Sequence, residues 1–347
     1  MSLALVMIVR DEARCIARCL ASAAPHVDRM IVLDTGSTDD TVAIAEAAGA
    51  EVARFAWIDD FAAARNAALD LSDADWNLVL DADEWLAGGE DALAALGAAP
   101  FLGEVRIESR FEGVAGPETG VSWIPRLLPR GVRYEGRIHE QPASPLPRKR
   151  LPLVVGHDGY EAAQRLKKAG RNEALLRAEL AATPNDAYLL FQLGRELQAA
   201  ERWAEAADRL AHAYNVSGPA DPFRHALVIR ALFTLKSAGR HDEALALTEA
   251  EFENWPSSPD FFFAVGDLYL DWGALHPERA MEEALPLVEY CWQRCMEIGE
   301  QPDLEGSVRG RGSWLAAHNL AVFYETLRVA DKAAAYRAMA EGMKADA

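Results

Sequence analysis

Cysteine is scarce in this chain, with four in 347 residues. They fall in two pairs, Cys15/Cys19 and Cys291/Cys295, each spaced i, i+4 within an expected helix. That spacing puts each pair on one helical face, where cysteine serves as a small core residue, and neither pair has zinc-site spacing. No uncharged run approaches the roughly 18 residues needed to span a bilayer. No cleavable apolar stretch behind a basic start precedes the first apolar run, which begins at Leu3. Both absences lead us to expect a cytoplasmic protein. Positive charge is short as well: 35 Lys and Arg stand against 54 Asp and Glu, a formal net charge of −19. Such a balance argues against nucleic acid and against an anionic membrane surface as partners. A Gly-x-Gly-x-x-Gly turn after the first apolar run is also missing, which excludes a dinucleotide-binding oxidoreductase.

What remains is an ordinary globular composition, 50% hydrophobic and 26% charged, with room for two domains. The most informative stretch is Trp76-Asn77-Leu78-Val79-Leu80 followed by Asp81-Ala82-Asp83-Glu84. A short apolar run bounded by acidic residues reads as a buried strand. Carboxylates spaced i, i+2 at its end can converge on one hard cation, and Mg²⁺ or Mn²⁺ commonly bridges such carboxylates to phosphates. Two more buried strands end in polar clusters. Leu3 to Val9 runs into Arg10-Asp11-Glu12, and Met30 to Leu33 runs into Asp34-Thr35-Gly36-Ser37 and on to Thr41. Helices are expected between and after them, from Ala13 to Ala24 and from Thr41 to Ala48. This β-α-β-α rhythm with continuous apolar strands indicates a parallel sheet covered by helices, whose ligands sit outside the carboxyl ends of the strands. All three polar clusters fall at those ends. From Arg126 to Arg150 basic residues outnumber the two acidic ones, Glu135 and Glu140. That segment could face phosphates or simply be a solvated loop.

Beyond Gly159 the grammar changes. Strand signals vanish and Ala, Leu, Glu and Arg recur at helical spacing, after prolines at 142, 145, 147 and 152 and a last apolar run, Leu151 to Val155. We expect one domain over 1–155 and a second over 156–347. The second contains an imperfect repeat. Leu190-x-x-Leu193-Gly194-x-x-Leu197 is followed by Ala206, Leu210 and Ala213. Ala317-x-x-Leu320-Ala321-x-x-Tyr324 is followed at the same distance by Ala333, then Ala340. Phe263-x-x-Gly266-x-x-Tyr269 opens a third unit, stretched before Ala284. Small residues at fixed places let two antiparallel helices pack closely. The pattern resembles the tetratricopeptide repeat, a solenoid with a concave groove that often holds an extended peptide.

Four linked motifs make the first half resemble the family-2 glycosyltransferases. They are Met7 to Glu12, Val32 to Thr41, Asp60-Phe61-Ala62-Ala63-Ala64-Arg65-Asn66, and Leu80 to Glu84, in that order. The resemblance covers about residues 1–140. With the repeat-like tail it points to the branch in which such a transferase is fused to helical repeats. Arg133 to Glu140 and Gly156-His157-Asp158-Gly159-Tyr160 also look like that branch. The resemblance implies an α/β GT-A domain followed by an all-α helical repeat domain. It implies an inverting transfer from a nucleotide-diphosphate sugar, such as a UDP-hexose, with Mn²⁺ or Mg²⁺. Carried over, Asp34 meets the nucleobase, with Val9, Arg10 and Glu12 in the same pocket. Arg65 approaches the base or diphosphate, Asp81 lies near the ribose and metal, Ala82 sits beside the donor, and Asp83 binds the metal. His139 resembles the later histidine that completes the metal set Asp81, Asp83 and His139.

An acceptor hydroxyl needs a general base beyond the anomeric carbon. Glu140 is our choice, with Glu108, Glu112 and Glu135 as rivals. A regular strand would turn Glu140 away from His139, so the choice requires the backbone to bend there. Plainer readings exist for several residues. Asp34 and Ser37 could cap the helix at Thr41, Arg65 could be a helix-surface charge, and His139 an ordinary loop residue. His157 is expected to order the domain junction rather than take part in chemistry. The acceptor is expected to be a protein or peptide held by the repeats. The alternatives are a transferase extending lipopolysaccharide core or another glycan, and a degenerate transferase that only captures peptides.

Overall fold

The computed structural model describes residues 1–113, 116–158 and 162–345. The chain divides into two compact units, Met1–Phe111 with Ser122–Glu179, and Glu112–Val121 with Leu180–Ala347. The sequence reading drew its boundary at 155/156, and Gly159 and Tyr160 of the motif quoted above lie outside the described residues.

The first unit opens with β1 (Leu3–Val9), α1 (Ile16–Ala23), β2 (Arg29–Asp34), α2 (Thr41–Ala47), β3 (Glu51–Arg54), α3 (Phe61–Asp70) and β4 (Trp76–Val79). It continues through β5 (Glu84–Gly88), α4 (Asp91–Ala94), β6 (Leu102–Gly113), β7 (Gly116–Pro129), β8 (Arg133–Glu135), β9 (Gln141–Ala143), β10 (Arg148–His157) and α5 (Ala162–Ala182), except that the end of β6 and start of β7 (112–121) and the last residues of α5 belong to the second unit. Eight strands form one mixed sheet in the order β3-β2-β1-β4-β7-β6-β10-β5, and β8 pairs with β9 separately. Strands β1 to β4 run parallel, as their continuous apolar runs require for burial on both faces. Alternation along β1 distributes the core. Leu3, Leu5, Met7 and Val9 join α1 residues Ile16, Cys19 and Leu20 on one face, while Ala4 and Val6 join Ala62, Ala68 and Leu69 of α3 on the other. The sequence reading did not single out β5 to β9. Strand β6 alternates Glu104, Arg106 and Glu108 with Val105 and Ile107, so no continuous apolar run marks it.

The β10 register matters most for the site. This strand lies between β6, with His157 opposite Ser109, and β5, with His157 opposite Glu84. The architecture is GT-A-like, as expected.

The second unit contains antiparallel helix pairs: α6 (Ala187–Ala199) with α7 (Trp203–Val216), and α8 (Arg224–Ser237) with α9 (His241–Glu251). Then α10 (Pro259–Leu275) is followed by the one-turn α11 (Pro277–Arg279) and its partner α12 (Leu285–Ile298), and α13 (Trp314–Thr326) pairs with α14 (Ala330–Ala345). The stretched third unit is therefore an insertion at α11. The repeat glycines sit at the closest approaches. A Cβ on Gly194 would stand 2.5 Å from Leu210 Cδ2, and one on Gly266 would stand 2.6 Å from Trp292 Nε1. Leu210 and Trp292 are both buried, so neither glycine can gain a side chain without repacking its neighbour. These are tetratricopeptide-like repeats. Within this unit, Val121 N donates to Ser307 O at 2.8 Å and Arg309 N to Thr119 O at 2.9 Å, a short ladder on the α12–α13 connection. The four cysteines are free thiols in the two cores, as their helical spacing indicates. No described helix is long and apolar enough to cross a membrane.

Candidate functional site

The loops after β1 and β2 are tied into one surface. Asp11 N donates to Ser37 Oγ at 2.9 Å, Thr38 N to Asp11 Oδ1 at 2.7 Å, and Glu12 N to Thr41 Oγ1 at 2.8 Å. Asp34 is buried at the end of β2, and its carboxylate accepts from Ser37 N (3.0 Å) and Gly36 N (3.3 Å). Its bonds thus hold its own loop, in which Gly36 takes the left-handed φ of 109°. The carboxylate that meets Thr41 N is that of Asp39, at 3.0 Å. Val9 is buried beneath these loops, Arg10 is exposed at the end of β1, and Glu12 accepts from the Cys15 thiol at 3.3 Å. Burial, first of all, pushes that thiol up to about 12, with the Glu12 charge adding to it. It is not a reactive thiolate.

At the end of β4 the chain turns tightly, with Glu84 N donating to Asp81 O at 3.0 Å and Asp81 N to Glu84 Oε2 at 2.9 Å. Two arginines close on this turn. Arg65 of α3 donates from Nη2 to Asp81 Oδ1 at 2.8 Å, and Arg126 of β7 from Nη2 to Asp81 Oδ2 at 2.7 Å. The same Arg126 nitrogen reaches Glu84 Oε1, and Arg65 Nε donates to Glu140 Oε1. Burial works to raise the Asp81 carboxyl, but Arg126 and Arg65 outweigh it and hold the group well below the usual carboxylate range. Its side chain keeps 37% of its surface, so the guanidinium attraction governs. Glu84 is different. Its side chain is only 3% exposed, and burial raises its carboxyl despite Arg126. Arg65 is a buried network member rather than a surface charge, its guanidinium 5.5 Å above the Tyr134 ring. Arg65 Nη1 and Arg126 Nε are buried with no hydrogen-bond partner among the described residues, donors that an anion could take up.

Asp83, also buried, has an imidazole beside it. His157 Nε2 of β10 stands 3.7 Å from Asp83 Oδ2, and His157 Nδ1 is 3.0 Å from Ser109 Oγ of β6. Asp158 N donates to Asp83 O at 3.3 Å, and the Asp158 carboxylate is paired with Arg18 at 2.5 Å and Arg14 at 3.3 Å. Ala82 is buried between the two aspartates.

His139 sits in the bend 136–139 with a φ of 51°, so the backbone does turn between it and Glu140. The expected metal trio does not form: among the described residues no three His, Cys, Asp or Glu side chains stand as a metal-holding group. Both Asp81 oxygens are turned to guanidiniums. The basic segment is not one phosphate-facing patch either. Arg126 is buried on Asp81, Arg133 pairs with Asp70 at 2.5 Å, and Arg148 with Glu104 at 3.1 Å.

Residues 4–96 match the family model described as Glycosyl transferase family 2. The first unit carries a family-2 glycosyltransferase domain. A TPR repeat-containing protein of Synechococcus elongatus is 38% identical over 57% of this chain and 54% of its own length. Glycosyltransferase SunS of Bacillus subtilis is 29% identical over 71% of this chain and 62% of its own length. The chain thus spans little more than half the length of the curated relatives it matches. A solved complex of glucosyl-3-phosphoglycerate synthase from Mycobacterium tuberculosis with Mn²⁺, UDP and glucosyl-3-phosphoglycerate is 25% identical. It covers 31% of this chain and 44% of that one, with a TM-score of 0.27.

Sequence reasoning passed over two residues of this transferase domain. Arg126 was noticed only as part of a basic stretch, and nothing local could join it to Asp81, 45 residues earlier. His157 was assigned to a domain junction. Its place at the carboxyl end of an apolar strand was the available signal, the same one that singled out Asp34 and Asp81.

Proposed function

We propose that this chain is an inverting, metal-dependent glycosyltransferase. It moves a sugar, a hexose in this reading, from a UDP-type donor to a protein or peptide acceptor held by the helical repeats, and it works in the cytoplasm. The observation that carries the reading is the pair Asp83 and His157. A carboxylate and an imidazole nitrogen 3.7 Å apart are beyond hydrogen-bond range and share the end of the sheet with the arginine-held Asp81. That donor set would suit Mn²⁺ or Mg²⁺. Asp83 and His157 would hold the cation, with His139 as the residue first expected in that place. When bound, it offsets the charge gathering on the leaving diphosphate.

The chain's own residues do the rest. Asp34, Val9, Arg10 and Glu12 would line the nucleobase pocket. Asp81 fixes Arg65 and Arg126, and the spare Arg65 donor is available to the donor's phosphates. As the acceptor oxygen or sulfur bonds to the anomeric carbon, the bond to the diphosphate breaks and the nucleotide leaves with its electrons. The acceptor's proton goes to a carboxylate, for which Glu140 is our assignment. Helical repeats favour an extended chain as acceptor, because they gain affinity away from the reacting atom.

Incubation with a panel of nucleotide sugars and Mn²⁺ tests the donor. Hydrolysis of one UDP-hexose above the others is expected, and no turnover of any nucleotide sugar would sink the proposal. Glu140→Gln then separates two roles. A base gives a transfer rate lower by about 10²–10⁴ with donor affinity unchanged. An orienter of Arg65 instead shows its loss in donor affinity, and that result would remove Glu140 as the base.

A further inference from the structure

Helix α3 is tied to the β8–β9 hairpin at several points along its length. At its first residue, Phe61 N donates to Arg137 O at 2.9 Å, which satisfies an N–H that the helix itself leaves unpaired. Asp60 caps the same turn by accepting from Ala63 N at 2.8 Å. One turn on, Arg65 Nε donates to Glu140 Oε1. Next to it, Asn66 Nδ2 donates to Tyr134 O at 2.9 Å, and Tyr134 N donates to Asn66 Oδ1 at 2.8 Å. That pair of bonds is what a neighbouring strand would make with one residue of β8. Strand β9 does not supply it, because Tyr134 stands opposite Pro142, whose nitrogen carries no hydrogen. Asn66 thus takes the place of a further strand, and its short side chain sets how far β8 lies from α3. Glu140 closes the connection from β8 to β9, so the docking of β8 bears directly on where its carboxylate comes.

We propose that Asn66 is a positioning residue for the general base, a step that rests on the assignment of Glu140 above. A base acts only within hydrogen-bond reach of the proton it takes, and a misplacement of about 1 Å can cost on the order of 10² in rate. Without the amide, β8 keeps its pairing with β9 and the loop keeps the bond from Phe61 N to Arg137 O, so the hairpin stays on the helix. What is lost is the fixed distance between Tyr134 and α3. The Glu140 carboxylate is then spread over several positions, of which only some reach the acceptor's proton.

The test is a double-mutant cycle on the full chain, read as hydrolysis of the UDP-hexose that the donor panel selects, with water in the acceptor's place. Asn66→Ala should lower kcat about 10- to 100-fold while leaving the donor KM unchanged. In the Glu140→Gln background the same substitution should change kcat less than about twofold, because a group that acts through Glu140 has nothing left to place. Asn66→Asp keeps the acceptor for Tyr134 N and serves in the same cycle should Asn66→Ala fail to fold. An equal loss in both backgrounds overturns the proposal, since Asn66 would then support the domain rather than the base. Wild-type kcat in Asn66→Ala overturns it as well. If Glu140→Gln alone hydrolyses the donor at the wild-type rate, the assignment of Glu140 falls, and the role of Asn66 falls with it.

Discussion

Replacing Asp83 with asparagine should abolish Mn²⁺-linked binding of UDP and lower sugar transfer by about 10²–10³, equivalent to roughly 3–4 kcal/mol of transition-state stabilisation. The substitution keeps the shape of the side chain and removes the carboxylate that stands beside the His157 imidazole. The backbone of Asp83 is held by Asp158 N, so the turn should survive the change. Circular dichroism and the melting temperature should therefore match wild type while the metal-dependent part of the binding isotherm disappears. Asp81→Asn is the informative companion. It strips both guanidiniums of their shared anion, so its loss should include stability as well as turnover. An Asp83→Asn protein that binds UDP and Mn²⁺ as tightly as wild type would remove Asp83 from the cation site.

Arg126→Met should be among the most damaging single changes to the stability of the first unit, at about 3–5 kcal/mol. Methionine fills much of the same volume, so packing is mostly preserved and the electrostatic loss stands out. Glu84 is left with its carboxylate buried and one guanidinium fewer, and Asp81 is left to Arg65 alone. The sign with pH follows from the Glu84 carboxyl, which burial already raises above its ordinary value. Losing Arg126 raises it further, so the folded variant binds a proton that the unfolded chain gives up. Stability then falls as pH rises from the ordinary glutamate range toward the raised folded value. Urea denaturation at about pH 5 and pH 8 should show the larger deficit at the higher pH. Adding Glu84→Gln to Arg126→Met should recover part of it, because a buried amide costs less than a buried, poorly paired carboxylate. A deficit that ignores pH and the second substitution would mean that Arg126 matters for its packing alone.

Both expectations turn on contacts that no local pattern in the chain announces. Asp81 and Asp83 were legible because an apolar run ends at them, and Asp34 because another does. The four-motif order was enough to place the family, and small residues at repeated spacings were enough to place the helical repeats. The partners of these residues were not legible. Arg126 drew notice only as one member of a basic stretch, and it reaches Asp81 only because β7 is the antiparallel neighbour of β4. His157 reaches Asp83 because β10 is inserted between β6 and β5. The choice of His139 for the metal followed motif order, which carries no information about which strand ends meet in space.

The sequence by itself therefore determined the alternation of buried strands and helices, the change to helical repeats and the carboxylates at the strand ends. Each of these is written in residues a few positions apart, within reach of one turn or one pleat. Only the tertiary structure decided how those carboxylates are divided. Asp81 became the anion between two arginines and Asp83 the neighbour of an imidazole, although the two are separated by a single alanine. That division is a property of sheet order, because strands far apart in the chain deliver the counter-charges, and a carboxylate's chemistry is set by the charges and burial around it rather than by its neighbours in sequence.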